Sequence, residues 1–236
     1  HQLLCQAIKD GRKTEMKPEM PLTDIYQALY AAFGHQQWWP ADTAGEVVIG
    51  AVLAQNVAWE NAYRAIQALK QEGLLSLAAI YAADTAVIAP LIRPSRFYNQ
   101  KAERLKNLAA LLVERFSGSL DAMFATELYE LRAALKQLNG FGDETVDSIL
   151  LYAAEKPIFV IDAYTRRIFA RLGLIPGDWS YRNCQRFFME RLPSELDLYQ
   201  DYHAQIVKLG STICKKRKPL CAECPISDCC QMTNVS

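Results

Sequence analysis

No run of apolar residues in this 236-residue chain is long enough to cross a bilayer. The longest, Val47 to Ala54, falls well short of the ~20 residues that a membrane helix needs. Net charge is missing too, because 26 Lys and Arg are balanced by 26 Asp and Glu. That neutrality counts against a polyanionic partner unless the basic residues are gathered in one place. No stretch alternates polar and apolar residues over the length of a strand, so a sheet is not expected. Repeats, low-complexity tracts and long linkers are lacking, and no segment reads as a secretory leader. A membrane is therefore excluded as partner, and the cytoplasm is the expected compartment. What is present is an ordinary globular composition, 51% hydrophobic and 22% charged, in a chain long enough for one or two domains.

Helical periodicity fills nearly all of it. Residues 1–20 are polar and read as an arm or a frayed helix. LTDIYQALYAAFG is amphipathic, with Thr23 as its expected cap and Gly34 as its stop. Thr43 to Ala54 reads as an apolar helix, and AWENAYRAIQALKQEG follows with clear 3.6-residue spacing up to Gly73. SLAAIYAAD, TAVIAPLI, FYNQKAERLKNLAALLVERF and LYELRAALKQ continue the pattern, as do AYTRRIFARLG, SYRNCQRFFMERL and DLYQDYHAQIVKLGSTIC. The fold class expected is all-α.

Several junctions carry chemistry. In HQQWWPAD, Trp38 and Trp39 precede a proline, which disfavours helix at the residue before it. Their side chains diverge, so they read either as packing or as a platform for a flat base. Gln55 and Asn56 are neutral hydrogen-bonding groups at a helix junction, suited to filling a gap in a base stack, with a plain polar turn as the simpler reading. RPSRFYNQKA sets Arg93, Arg96 and Lys101 around Phe97, a pattern for phosphate contact plus an aromatic wedge, or for a solvated loop with a buried ring.

The stretch LNGFGDETVDSILLYAAEKPIFVID organises the rest. Gly140 and Gly142 stand between two helical runs, where glycine admits left-handed backbone and leaves N–H groups unpaired. A turn of that kind at a helix start attracts anions. After an apolar link, Ile158 to Ile161, comes Asp162, which is either a helix N-cap or a catalytic carboxylate.

Five of the seven cysteines crowd into the last 23 residues. Cys214, Cys221, Cys224 and Cys230 are spaced C-x6-C-x2-C-x5-C, with Cys229 as a rival in register and Cys5 and Cys184 as spares. Four thiolates in so short a stretch suit iron–sulfur or zinc, and coordination chemistry alone leaves both open. Between the first two cysteines lies a basic run, Lys215, Lys216, Arg217 and Lys218, a concentrated patch in an otherwise neutral chain.

Helix, Gly-x-Gly hairpin, helix, apolar link and capping aspartate together resemble the helix-hairpin-helix (HhH-GPD) DNA glycosylases of the endonuclease III superfamily. The cysteine spacing matches the [4Fe–4S] loop of many of its members. The segments QWWP, IGAVLAQN, IRPSRFYNQKAERL and GFGDETVDSILLYA are most similar to the bacterial 3-methyladenine DNA glycosylase III type, although a Gly often stands there in place of Arg96.

The resemblance implies two helical domains. One is a six-helix barrel over 42–156, with the helix-hairpin-helix at about 127–154. The other is a discontinuous terminal domain, 1–41 and 157–236, that carries the cluster loop at 214–230. It implies an active cleft between them, a phosphate grip at Gly140 and Gly142 with a candidate monovalent-cation site there, and DNA contacts from Gln55, Asn56, Arg96, Phe97 and the 215–218 run. It implies a [4Fe–4S] cluster on Cys214, Cys221, Cys224 and Cys230, and Asp162 as the catalytic group.

In bifunctional members a lysine stands two residues after the second glycine. Here that position is Glu144, which cannot form a Schiff base. The expected activity is thus monofunctional removal, without strand cleavage, of an alkylated purine such as 3-methyladenine from double-stranded DNA. Trp38, Trp39 and Trp59 would stack on the cationic base. The rival readings are a mismatch, uracil or adenine glycosylase, and a catalytically silent protein that binds damaged DNA. A monomeric, nucleoid-associated bacterial protein completes the expectation.

Overall fold

A computed structural model describes residues 21–234, so the arm expected over 1–20, and Cys5 within it, lie outside the described residues. Among the described residues there are twelve α-helices and no strand, as the periodicity requires. No helix among them is long and apolar enough to cross a membrane.

The chain divides into two compact units, Trp39–Ile158 and the pairing of residues up to Trp38 with those from Phe159 onward. The division passes between the two adjacent tryptophans. The continuous unit holds α2 (Ala44–Leu53), α3 (Trp59–Gln71), α4 (Leu77–Ala82), α5 (Thr85–Leu91), α6 (Tyr98–Phe116), α7 (Leu120–Phe124), α8 (Leu128–Lys136) and α9 (Asp143–Tyr152). Two of these form its centre. In α2 every residue from Val47 to Leu53 is buried, and in α9 every residue from Thr145 to Tyr152. A helix enclosed on all sides can be apolar all round, which explains why VVIGAVL shows little amphipathicity. Thr43 caps α2, accepting from the Glu46 N–H at 3.2 Å. The peripheral α3 keeps a polar face, with Ala62, Ala65, Ile66 and Leu69 inward.

The other unit holds α1 (Leu22–Phe33), α10 (Ala163–Arg171), α11 (Tyr181–Met189) and α12 (Leu196–Thr212). Helix α1 begins at Leu22 with Pro21 before it, so Thr23 lies inside the first turn and does not cap it. Proline pre-sets the backbone for a helix start, and that favours initiation two residues earlier than the Thr would. Gly34 ends α1 with φ 67°, as expected of a stop. The α10 and α12 backbones approach closely at Gly210, where an added Cβ would collide with the ring of Tyr164. Phe159, Phe169, Phe188, Tyr199 and Tyr202 form an aromatic core, with the Phe159 and Phe188 rings stacked at 4.4 Å.

The link Ile158 to Ile161 is fully buried yet belongs to no helix or strand. Part of its backbone bonding is met by α11. The Gln185 side-chain amide donates to the Phe159 carbonyl at 2.7 Å, and the Ile161 N–H donates to the Tyr181 hydroxyl at 3.2 Å. These contacts fix where Asp162 emerges.

Candidate functional site

In the unit Trp39–Ile158, the hairpin between α8 and α9 has one left-handed glycine, not two. Gly140 has φ 82°, whereas Gly142 is the α9 N-cap with an ordinary φ of −74°. The left-handed requirement expected at Gly142 therefore belongs to Gly140 alone. An added Cβ at Gly140 would strike the Arg104 guanidinium, while at Gly142 it would meet open space. Phe141, between them, is buried and anchors the turn.

Gln55 reaches this hairpin. Its amide nitrogen donates to the Gly140 carbonyl at 3.1 Å and to the Thr145 hydroxyl at 2.8 Å, and its carbonyl accepts from Arg104 at 2.5 Å. Both ends of the amide are engaged, so Gln55 braces the hairpin. Asn56 beside it is exposed, with φ 55°.

Below the hairpin, Arg132 of α8 donates to both oxygens of the fully buried Asp147 at 2.7 and 3.1 Å and to Asp143 at 2.9 Å. Lys136 adds a second bridge to Asp143, also 2.9 Å. Partial burial works to raise the Asp143 pKa, but Lys136 and Arg132 outweigh it and hold the carboxyl below its ordinary range. The clip locks the two helices of the hairpin together. Glu144 lies in the first turn of α9, exposed.

The turn Arg93–Arg96 is shorter than the expected ten-residue loop, because α6 starts at Tyr98. Arg96 and Phe97 stand at its tip, both exposed. Lys101, expected as a solvent-facing cation of this loop, is instead 1% exposed and inside α6. Three carbonyl acceptors within reach explain how it can be buried.

Trp39 and Trp59 come together edge to face at 5.3 Å, with Tyr152 5.6 Å from Trp39. Gly50 makes room for them, since a Cβ there would lie 3.2 Å from the Trp39 indole nitrogen. Trp38 belongs to the other unit. It lines a cavity of about 620 Å³ there with Tyr26, Tyr30, His35 and the buried Asp201.

Also in that unit, Asp162 caps α10. Its Oδ1 accepts from the Thr165 N–H at 2.7 Å and the Thr165 hydroxyl at 2.8 Å. Its Oδ2 lies 3.7 Å from His203 Nε2 of α12, an ion-pair distance rather than a hydrogen bond. The side chains are 10% and 6% exposed. Burial works to raise the Asp162 pKa, but His203 and the two Thr165 donors outweigh it, so the carboxyl stays below its ordinary range. Capping and a buried ionised carboxylate therefore coexist in one side chain, one oxygen serving each. His203 and Thr165 belong to no motif that the sequence displays. The scarcity of histidine, three in the chain, is the one signal that points to His203.

The cysteine tail folds over α10. Cys214, Cys221, Cys224 and Cys230 line one small apolar cavity of about 30 Å³ with Arg171, Ile213 and Pro219, and Cys229 is not among its walls. Burial pushes the Cys224 thiol up, and the three neighbouring sulfurs add to it. Among the described residues no group of three or more His, Cys, Asp or Glu is arranged tightly enough to hold a metal ion by itself. The donor set nevertheless fits a sulfur-ligated group: four thiols face one dry space, and no carboxylate lines it.

Arg171 donates to Cys214 Sγ at 3.1 Å and to the carbonyls of Lys215 and Lys216 at 2.9 and 3.2 Å. Arg167 donates to the Cys214 and Gly210 carbonyls at 3.0 and 2.9 Å. The basic run at 215–218 is exposed throughout, and its backbone is held at Lys215 and Lys216.

The family model described as "HhH-GPD superfamily base excision DNA repair protein" matches residues 49–194. A protein of Methanocaldococcus jannaschii provisionally named a DNA repair glycosylase is 46% identical over 92% of this chain and 98% of its own. Among solved structures, the 3-methyladenine DNA glycosylase of H. pylori bound to 1,N6-ethenoadenine superposes with TM-score 0.70 at 27% identity, covering 80% of this chain and 97% of that one. A non-covalent endonuclease III–DNA complex superposes with TM-score 0.77 at 20% identity, over 90% and 94% of the two chains, a likeness of fold.

Proposed function

This chain belongs to the HhH-GPD superfamily of base excision DNA repair proteins, and from that premise we propose that it is a monofunctional DNA glycosylase acting on alkylated purines. The observation that carries the reading is Asp162: a buried carboxylate held ionised, with one oxygen tied to Thr165 and the other directed to His203. A fixed negative charge of this kind stabilises the cationic sugar that forms as an N-glycosidic bond breaks, and it orients the attacking water. The position that would supply an amine nucleophile holds Glu144, so hydrolysis replaces covalent catalysis and the strand stays intact.

The substrate class rests on the indoles and on the resemblance in fold and sequence to the H. pylori enzyme. An N3-alkylated adenine is a cation and already a good leaving group, so stacking on electron-rich rings matters more than strong acid catalysis. Trp38, Trp39 and Trp59 are assigned to that stacking. Double-stranded DNA would be gripped by the Gly140–Gly142 hairpin and the Lys215–Lys218 run, and entered by Asn56, Arg96 and Phe97. Gln55 takes part by holding the hairpin.

Cys214, Cys221, Cys224 and Cys230 would hold a [4Fe–4S] cluster. When bound, the group supplies four metal–thiolate bonds that pin the tail, while Arg171 and Arg167 position the basic run beside it.

The test is a panel of duplexes carrying 3-methyladenine, 1,N6-ethenoadenine, uracil and a G·T mispair, assayed side by side for base release. Release confined to the two alkylated adenines supports the reading. Release of uracil or thymine alone replaces it with mismatch repair, and binding without release returns Asp162 to capping.

A further inference from the structure

Lys101 is the one lysine buried among the described residues, and it lies in the first turn of α6 beside the exposed Phe97. Its ammonium donates to three main-chain carbonyls: Leu53 at 2.8 Å, Gln55 at 2.9 Å and Ser95 at 2.6 Å. An ammonium has three N–H bonds and accepts none, so the three carbonyls satisfy it completely. Leu53 and Gln55 come from the end of α2 and the turn after it, Ser95 from the turn before α6. One side chain thus joins two turns that are some 40 residues apart in sequence. An apolar residue would fill the same space without the desolvation cost of a charge, so packing alone does not account for a lysine here.

Both turns end in strained backbone. Asn56, Arg96 and Phe97 have φ of 55°, 57° and 45°, left-handed values that side chains other than glycine rarely adopt. Strain of this kind persists only where the surroundings hold it. Here Ser95 is fully buried, with its hydroxyl donating to the Ile92 carbonyl at 2.7 Å, and the Phe97 carbonyl accepts from the Lys101 N–H at 3.0 Å. All three strained residues are exposed, Phe97 at 61%.

We propose that Lys101 is a positioning residue whose ammonium locks the Gln55–Asn56 turn to the Arg96–Phe97 turn, so that Asn56 and Phe97 enter a duplex as one rigid, two-pronged unit. The inference rests on the reading of both turns as DNA contacts. Without the clamp each prong still exists, but each finds its place independently of the other.

The experiment is a double-mutant cycle on equilibrium affinity for a duplex with an abasic site, a ligand on which no base release occurs. Asn56→Ala, Phe97→Ala and the double variant are compared in the native background and with Lys101→Met. In the native background the double variant should lose about fivefold less affinity than the product of the single losses, and with Lys101→Met it should come within about twofold of that product. Coupling that survives in Lys101→Met overturns the inference. Single variants that leave affinity unchanged overturn both the inference and the DNA-contact reading beneath it, so the two failures are told apart.

Should Lys101→Met fail to fold, the unmodified lysine supplies the second arm. Burial, with the neighbouring charge of Arg104, pushes Lys101 down to about 8. Moving from about pH 7 to about pH 9 therefore removes one of the three Lys101 donors and should lower the coupling. Coupling unchanged at the higher pH overturns the inference equally.

Discussion

The side-chain amide of Gln55 donates to the carbonyl of Gly140 at 3.1 Å, across 85 residues of sequence. The same amide reaches Thr145, at the start of the buried face of α9, and accepts from Arg104. A loop that would otherwise be held only by its own two helices is thereby fixed to the end of α2. The hairpin's left-handed turn, its buried Phe141 and the Arg132 clip below it then act as one rigid piece.

The two hairpin glycines should respond differently to the same substitution. Gly140→Ala forces a side chain into left-handed backbone, at about 1–2 kcal/mol, and displaces Arg104 as well. Gly142→Ala keeps an allowed φ in open space and loses at most about 1 kcal/mol as a poorer N-cap. Urea unfolding and duplex affinity, measured together, should both rank Gly140→Ala as the more damaging. Equal effects would mean that the backbone of Gly140 is not what the hairpin depends on.

The basic run is the expected source of affinity in a chain without net charge. Replacing Lys215, Lys216 and Arg217 by Ala should weaken binding to any duplex. The slope of log affinity against log salt should flatten by up to about 0.9 for each phosphate that is no longer neutralised. An unchanged slope would leave those residues as a solvated face. Arg171→Ala should weaken binding less. With the proposed cluster bound, it should also speed the release of iron, followed by bleaching of the visible absorption, since it removes donors to Cys214 Sγ and to two carbonyls of the run.

How much of this was legible in the sequence depends on range. Helices announced by periodicity and punctuation, such as the stretch from Thr43 to Leu53 or the one stopped by Gly34, were readable because local spacing and capping decide them. The all-α class followed from the same patterns. Local rules failed at several residues. Thr23 yields the cap to Pro21, a competition that composition does not rank. Gly142 looks as permissive as Gly140, and only the hairpin's geometry shows which one turns left-handed. Lys101 and Gln55 look like solvent-facing groups because all their acceptors but the Ser95 carbonyl lie 46 to 90 residues away, beyond any window of sequence. His203 is silent for the same reason: its relation to Asp162 exists only once α10 and α12 pack together at Gly210.

Acid should separate the native chain from one lacking the Asp162 carboxylate. A carboxyl held below its ordinary value contributes stability that is present above the unfolded pKa of about 3.9 and is lost as pH falls through the lower folded value. The urea midpoints of native protein and Asp162→Asn should therefore differ most near neutrality and converge below about pH 4. A difference that does not change with pH would show that Asp162 titrates alike in folded and unfolded chains.

The decisive variant for catalysis is the same Asp162→Asn. Asparagine caps helices about as well as aspartate, so the Thr165 bonds and the start of α10 should persist. What disappears is the negative charge, and with it the stabilisation of a cationic sugar proposed for it. Base release should fall by roughly 10²-fold or more, the drop typical when one charge-stabilising group is removed from an active site, while duplex affinity stays within a few-fold of native. The abasic strand left by the native protein should remain intact until heat or alkali cleaves it, because Glu144 offers no amine to attack the sugar. Borohydride added during turnover should trap no protein–DNA adduct. A trapped adduct would identify an amine nucleophile elsewhere in the chain and overturn hydrolysis as the mechanism. Full release by Asp162→Asn would show that its carboxylate does no more than cap α10.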